Sequence, residues 1–256
     1  MLEFSIILLT GGISLLFLML YEARRNVVKI EEVRLPHFPE HMQPISLFFI
    51  SDIHKREISD DIIEEVKGKT DLVIIGGDLL EKGVPLSRVE RNLDKLLILG
   101  NVYFVWGNND YEGNTTDVKQ LFKKKGIIEI INSSVKVPLS NGMMNIIGVD
   151  DASTQRADYP MALEQVSPEE FNLLVSHDPR LMNQVRKEDG IDFMISGHTH
   201  GGQIRLFGWG MYKKGRLETL PETTLLVSNG YGTTAVPLRL GAPAETHLLL
   251  IDRFRK

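Results

Sequence analysis

Asp, Asn and His residues recur soon after largely apolar runs of this chain, in a pattern suited to binding metal ions. Five runs end in this way: Ile45–Ile50 before Asp52, Leu72–Ile75 before Asp78, Val102–Trp106 before Asn108, Phe171–Val175 before His177, and Phe193–Ile195 before His198. Each run is typical of a buried strand. Because ligand sites in open α/β sheets lie at the carboxyl ends of strands, we expect these side chains to meet at one edge.

Composition narrows the chemistry of such a site. The chain has 256 residues, no Cys and a net charge of −5 with both signs interspersed. Thiolate and disulfide sites are therefore excluded, and oxygen and imidazole ligands favour Mn²⁺, Fe or Zn²⁺ in a catalytic site. A polyanion-binding protein carries a basic stripe, and this sequence has none. We expect no nucleic-acid partner.

The N-terminus differs in kind from the rest of the chain. The run from Phe4 to Tyr21 is apolar and contains no charge over 18 residues, slightly fewer than the roughly 20 of a membrane-spanning helix. Arg24 and Arg25 follow it, and by the positive-inside rule that side faces the cytoplasm. We expect a single-pass anchor in the cell membrane with a cytoplasmic domain. A signal peptide or the opposite orientation remains the alternative, although Glu3 replaces the basic residues that a signal peptide has there.

The rest of the sequence predicts a layered α/β domain. Residues 1–25 form the anchor and its flank, residues 26–44 a juxtamembrane linker with a first strand, and residues 45–256 the domain. Amphipathic helices are predicted over 58–66, 85–97 and 115–124, the last with Asn114 as its cap. Strands at 127–131, 135–139 and 143–149 follow each other closely, which predicts hairpins. Two sheets packed face to face and flanked by helices would bury all these runs.

Six short motifs occur in order. They are Asp52-Ile53-His54, Gly76-Gly77-Asp78, Gly107-Asn108-Asn109-Asp110, Ser176-His177-Asp178-Pro179, Gly197-His198-Thr199-His200 and Gly201-Gly202-Gln203. Each alone is often an ordinary turn, but together they resemble the signature of the calcineurin-like metallophosphoesterases: D-x-H, GD, GN-H-[DE], an isolated His and G-H-x-H. The resemblance covers about residues 45–251 and implies an α/β fold, a four-layer α/β/β/α sandwich of two mixed sheets.

The resemblance also implies a ligand set for two divalent metal ions. Asp52, His54 and His200 would bind the first ion, Asn108, His177 and His198 the second, and Asp78 both. Two such ions acidify a bridging water, orient it in line with phosphorus and neutralise charge on the phosphoryl oxygens. The implied activity is metal-dependent phosphoester hydrolysis, with Mn²⁺ as the first choice of metal and Fe or Zn²⁺ as alternatives.

The sequence departs from the family pattern at two positions. Asn109 stands where the motif has a His that stabilises or protonates the leaving group, and Glu81 stands where GDxxD has its second Asp. Asn donates a hydrogen bond but delivers no proton at neutral pH. We therefore assign Asn109 to catalysis and substrate binding beside Asp78, for a substrate with a stable leaving group. Alternatives are that Asp110 or Asp178 serves as the acid, or that activity is vestigial.

Three motifs resemble one branch of the family: Ser-His-Asp-Pro at 176–179, Gly-Gly-Gln at 201–203 and Ser-Asn-Gly-Tyr-Gly at 228–232. The branch holds membrane-tethered or exported bacterial phosphoesterases, including hydrolases of UDP-2,3-diacylglucosamine. That branch implies a phosphodiester or pyrophosphate substrate linked to a lipid. Arg56 would meet a substrate phosphate, with a solvated loop charge as the alternative. Residues 206–214 mix apolar and basic side chains and would contact an acyl chain or headgroups, unless they pack over the sheet. Two alternatives remain: hydrolysis of a soluble nucleotide or of another cell-envelope phosphoester, and a non-catalytic scaffold that binds metal.

Overall fold

The computed structural model describes residues 1–139 and 142–254, which form one N-terminal helix and two six-stranded sheets. In spatial order the first sheet contains β1 (Val28–Leu35), β12 (Thr246–Arg253), β2 (Ile45–Ile50), β3 (Leu72–Gly76), β4 (Asn101–Val105) and β5 (Ile128–Glu129). The second contains β10 (Arg216–Thr219), β11 (Thr224–Val227), β9 (Phe193–Ser196), β8 (Phe171–Ser176), β7 (Gly142–Val149) and β6 (Ser133–Leu139). The helices are α1 (Leu2–Ala23), α2 (Asp60–Val66), α3 (Leu86–Leu97), α4 (Thr115–Lys125) and α5 (Tyr159–Leu163).

The two sheets pack face to face with helices outside them, which confirms the predicted α/β/β/α sandwich. Strand β2 shows why its sequence is apolar throughout. Phe48 and Ile50 pack with side chains of α2, α3 and α4 on the outer face of the first sheet. Leu47 and Phe49 point the other way, into the core between the sheets. Because both faces of this strand are buried, its apolar residues do not alternate with polar ones.

The strands that carry the predicted ligands are neighbours in each sheet. Strands β2, β3 and β4 run parallel in the first sheet, and β7, β8 and β9 run parallel in the second. Parallel neighbours place their carboxyl ends at the same edge. The loops that follow these strands therefore emerge together, at the place where the two sheets adjoin.

One of the predicted hairpins is wrong. Strand β5 pairs with β4 in the first sheet, whereas β6 belongs to the second, so the chain crosses between sheets at Asn132. Asn132 turns the chain with φ 44°, a left-handed value that Asn tolerates better than most residues. Strands β6 and β7 do pair antiparallel as a hairpin. Their turn at residues 140–141 lies outside the described residues.

The segment at residues 26–44 contributes an edge strand to the first sheet. Strand β1 pairs in parallel with β12 along its whole length, from Val28 beside Thr246 to Leu35 beside Arg253. Residues 28–35 are therefore integral to the sandwich and are not a free linker. Before them, α1 is long and apolar enough to cross a membrane, and none of its apolar window is buried.

The predicted helices begin and end at residues whose side chains or backbone suit helix ends. The Asn114 side chain accepts a hydrogen bond from the Asp117 N–H and caps α4, as predicted. Gly126 ends the same helix in the left-handed conformation that glycine adopts without steric cost. Ser59 caps α2 through the Asp61 N–H.

Asn92 on α3 fixes the loop that follows β2 and gives a test of the packing. Its buried side chain accepts from the Ile58 N–H at 2.9 Å and donates to the Arg56 carbonyl at 3.0 Å. Asn92→Ala leaves both backbone groups without that partner, and we expect the free energy of unfolding to fall by about 1–3 kcal/mol in urea titrations. Asn101→Ala, at an exposed position, is the matched control, and equal losses in the two variants would contradict this role.

Candidate metal centre

The structure brings the seven predicted ligands together at the shared carboxyl edge of the two sheets. The ligand atoms of Asp52, His54 and His200 lie within 4.8 Å of one another, and so do those of Asp52, Asp78 and His177. Asn108 and His198 complete the cluster. The Nδ1 atom of His198 is 3.0 Å from the Asn108 Oδ1 atom, and its ring lies 5.0 Å from the ring of His177.

The first group holds two imidazoles face to face. The His54 and His200 Nε2 atoms are 3.1 Å apart, and the His200 Nε2 is 3.3 Å from the Asp52 Oδ1. All three side chains are buried. Three electron-rich atoms at such distances repel unless a proton or a cation lies among them. This donor set fits a divalent metal ion that takes nitrogen and oxygen ligands.

Asp78 lies between His54 and His177. Its Oδ2 atom is 3.2 Å from the His177 Nε2 on one side and 3.7 Å from the His54 Nε2 on the other. One carboxylate that faces a histidine of each predicted ligand set is in position to contact two cations at once. The geometry fits the bridging role that the family resemblance implied for this residue.

His177 carries an orphaned nitrogen that points to a cation. Its Nδ1 lies 2.8 Å from the Gly76 carbonyl, which accepts a hydrogen bond and so assigns the proton to Nδ1. In the neutral ring the Nε2 lone pair therefore faces Asp78, and this buried atom has no hydrogen-bond partner within residues 1–139 and 142–254. A histidine oriented through one nitrogen by a backbone carbonyl is the usual arrangement of a metal ligand.

Five of the seven predicted ligands have a strained backbone. Their φ angles are positive: Asp52 55°, His54 52°, Asp78 53°, His198 68° and His200 48°. Residues other than glycine rarely adopt this left-handed region, and when they do they cluster at functional sites. The strain directs successive ligands from short loops toward one point.

Glycines at two motif positions leave room for the carboxylates. A Cβ atom at Gly197 would lie 2.5 Å from the Asp52 Oδ2, and one at Gly107 would overlap the Asp78 Oδ1. Both separations are shorter than the distances that Cβ atoms keep from their neighbours in proteins. Glycine is therefore needed at these two positions to leave space for Asp52 and Asp78, which lie on other loops.

Asp110, which the sequence offered as an alternative acid, holds the loops in place. Its carboxylate accepts the N–H groups of Asp78 and Gly107, both at 2.8 Å, and of Leu80 at 3.1 Å. Burial, reinforced by the Asp78 charge, raises the pKa of Asp110 to about 7 while these N–H groups oppose the rise. Both oxygens face the backbone, so the side chain is a clamp between the loops after β3 and β4.

Two further residues orient the histidines from behind. The Glu81 Oε2 is 3.0 Å from the His54 Nδ1, and the buried Arg239 guanidinium places Nη2 3.0 Å from the His200 Nδ1. Glu81 was noted in the sequence only as a departure from GDxxD. Arg239 was missed, because it lies far along the chain from the histidine that it contacts.

Neighbouring charges shift the pKa values of the ligands in opposite directions. Burial alone would raise the pKa of Asp78, but the facing His177 and His54 rings outweigh it and hold that pKa below its usual range. Burial would lower the pKa of His177, and the Asp78 and Asp52 carboxylates reverse this and raise it well above 6.5. Burial together with the Arg239 charge lowers the pKa of His200 to about 3.

A cavity of about 610 Å³ opens over this cluster. Its lining includes Asp78, Asn108, Asn109, His198 and His200 together with Ile204, Met211 and Tyr212. Asn109 hydrogen bonds to the Asp78 carboxylate, donating its backbone N–H to Oδ1 at 2.9 Å and its amide Nδ2 to Oδ2 at 2.7 Å. The other acid candidate, Asp178, is ion-paired with Arg180.

Arg56 is placed differently from the sequence expectation. Its guanidinium lies at the C-terminal end of α1 and donates to the carbonyls of Ala23 (3.3 Å), Arg24 (3.3 Å) and Arg25 (3.2 Å), and to that of Tyr231 at 2.6 Å. The last carbonyls of a helix lack internal partners, and the helix dipole favours a cation there. The structure therefore does not support phosphate binding by Arg56, which instead docks α1 onto the domain.

Comparisons with known proteins agree with this geometry. The profile of the calcineurin-like phosphoesterases matches residues 45–202. The chain is similar to the uncharacterized protein YpbG of Bacillus subtilis, with 45% identity over 210 residues that cover 81% of each protein. It is 27% identical to the phosphodiesterase YaeI of Escherichia coli over 184 residues, which are 68% of this chain and 67% of YaeI.

Among solved structures, the 5′-nucleotidase precursor of Thermus thermophilus has a TM-score of 0.56 at 13% identity, over 81% of this chain and 55% of that one. At that identity the likeness concerns the fold alone. The profile match covers more than half of the chain, and its ligand motifs converge in the structure. The chain belongs to the calcineurin-like phosphoesterase family and is a metal-dependent phosphoester hydrolase.

Proposed function

We propose that this chain uses two divalent metal ions, with Mn²⁺ as the first choice, to hydrolyse a phosphodiester or pyrophosphate bond. The observation that supports this most is the position of Asp78, whose Oδ2 faces a histidine of each ligand group at 3.2 and 3.7 Å. In this proposal Asp52, His54 and His200 hold one ion. Asn108, His177 and His198 hold the other, and Asp78 contacts both.

The ions, when bound, supply an activated water and positive charge for the phosphoryl oxygens. The residues of the chain do the positioning. Asp110 fixes the loops that carry Asp78 and Asn108, and the Gly76 carbonyl fixes the tautomer of His177. The neutral amide and imidazole ligands leave net positive charge in the site, which suits an anionic substrate.

Asn109 limits the substrates that this site would cleave well. Its amide Nδ2 lies at the cavity wall, where it donates to the Asp78 Oδ2 at 2.7 Å. It supplies no proton to a departing alkoxide, and such help is worth about 10²–10⁴ in rate. A phosphate leaving group departs as a weakly basic anion and needs no proton. We therefore favour a pyrophosphate or a comparably stable leaving group.

We further propose that α1 anchors the enzyme in the cell membrane with the catalytic domain in the cytoplasm, next to a lipid-linked substrate. Support comes from the apolar window of α1, none of which is buried, and from Arg24 and Arg25, which follow it. Tethering raises the effective concentration of a membrane-bound substrate. UDP-2,3-diacylglucosamine, a lipid-linked pyrophosphate, is the concrete candidate.

Asp78→Asn tests the two-ion site because it keeps the shape of the side chain and removes its charge. We expect bound metal to be lost and hydrolysis of bis-p-nitrophenyl phosphate and of UDP-2,3-diacylglucosamine to fall more than about 100-fold with Mn²⁺ present. Asp94→Asn, at an exposed position of α3, is the control. Metal bound by the wild type without turnover of any phosphoester would instead favour the non-catalytic scaffold.

Asn109→His tests the leaving-group proposal. Across aryl phosphodiesters of increasing leaving-group basicity, we expect the wild-type rate to fall steeply and the variant rate to fall less, because histidine supplies a proton. Rates on a pyrophosphate substrate should change little. The same dependence on leaving-group basicity in both proteins would contradict the role assigned to Asn109.

Metal binding should release protons near neutral pH. The raised pKa values of His54 and His177 mean that both rings bind a proton more readily in the metal-free protein than an ordinary histidine does, whereas a metal ligand must give that proton up. Affinity should therefore increase as pH rises through these pKa values and decrease in acid. Calorimetric titration of Mn²⁺ in two buffers of different ionisation enthalpy measures the release, and identical heats in both buffers would contradict it.

A further inference from the structure

A loop beside the metal cavity exposes large apolar side chains. We call residues 206–212 the apolar loop. Phe207, Trp209 and Met211 are 101%, 84% and 86% exposed, and outside residues 1–23 no other large hydrophobic residue of the described chain reaches 60%. Contiguous exposed apolar surface on a folded domain marks a site of interaction.

The apolar loop is held in a defined shape that presents these side chains outward. Leu206 and Trp209 exchange two backbone hydrogen bonds of 2.9 Å. The Arg205 guanidinium donates to the carbonyls of Gly208 at 2.6 Å and Tyr212 at 2.5 Å. These bonds hold the turn without using its apolar side chains, which remain free for a partner.

The base of the apolar loop and the end of α1 contact the same short segment. The Arg205 N–H donates to the Leu240 carbonyl at 2.8 Å. On its other side, that segment donates from the Arg239 N–H to the Met19 carbonyl at 3.1 Å and from the Gly241 N–H to the Glu22 carboxylate at 2.7 Å. The apolar loop and α1 therefore have a fixed relation to each other.

No spacer separates the apolar run of α1 from the domain. The uncharged run extends from Phe4 to Tyr21, and Met19, inside that run, already contacts the domain. At about 1.5 Å per residue the run is roughly 27 Å long, close to the hydrocarbon thickness of a bilayer. A bilayer that takes up the whole run must reach the domain surface around Met19.

We infer that the apolar loop inserts into the headgroup–acyl boundary of the bilayer that α1 spans, as a second membrane contact. The inference rests on the proposed membrane anchor. Aromatic and aliphatic side chains are stable at that depth. Lys213 and Lys214 follow the loop directly and are exposed, so they meet anionic headgroups.

This contact defines the class of substrate more closely. Met211 and Tyr212 belong to the apolar loop and also line the cavity that holds Asp78 and Asn109. The cavity therefore opens at the membrane surface. Its substrate is an amphiphile with phosphate at headgroup depth and acyl chains that remain in the bilayer.

Trp209 reports on this contact directly. The chain has two Trp residues, and the other, Trp106, is fully buried. We expect vesicles of phosphatidylcholine and phosphatidylglycerol, with bromine atoms near the carbonyl end of the acyl chains, to quench the emission of the full chain. Trp209→Phe should lose that quenching. Phe207→Ser should weaken it, whereas Ile98→Ser, at an exposed position after α3, should not.

The outcomes separate this inference from the proposed function. Co-sedimentation with vesicles and hydrolysis of bis-p-nitrophenyl phosphate are measured on the same samples. A chain that stays in the supernatant overturns the anchor and with it the inference. If the chain sediments with vesicles and hydrolyses bis-p-nitrophenyl phosphate but its Trp209 emission is not quenched by bromine, the inference alone is overturned. Blue-shifted Trp209 emission that bromine does not quench, together with cross-linked dimers, would show that the apolar loop contacts a second copy of the chain. That result would also overturn the inference.

Discussion

The crowding of buried electron-rich atoms is the constraint on which the rest of the structure depends. The Nε2 atoms of His54 and His200 lie 3.1 Å apart, and the Nε2 atom of His177 lies 3.2 Å from the Asp78 Oδ2. Without positive charge among them these atoms repel, and their burial removes the water that would otherwise compensate. The convergence of these side chains on one point explains two local features. Five of the predicted ligands have positive φ angles, and Gly107 and Gly197 leave no room for a Cβ atom. The strained loops follow parallel, buried strands of both sheets, which fix the residues from which the loops emerge.

Much of this arrangement was predictable because it depends on local pattern. Strands buried on both faces are apolar throughout, and the polar residue that follows each strand is conspicuous for that reason. Strand β2 with Asp52 and strand β9 with His198 are clear examples. The rule that parallel strands end at one edge then brings these ligands together without further information.

The features that escaped prediction depend on long-range contacts. Arg56 follows a ligand pair and suggested a phosphate contact, yet it is bound by the end of α1, more than thirty positions earlier in the chain. Asp110 belonged to a motif, but its role as a clamp depends on the N–H groups of another loop. Strand β5 was expected in a hairpin with β6, because nothing in the sequence marks the crossing between sheets.

Anomalous diffraction from crystals grown with Mn²⁺ tests the central claim most directly, because it locates each ion without assuming activity. We expect two peaks, one among Asp52, His54 and His200 and one among Asn108, His177 and His198, with Asp78 in contact with both. A single peak, or none in crystals of protein that remains folded and active, would contradict the two-ion site and the hydrolytic chemistry proposed from it.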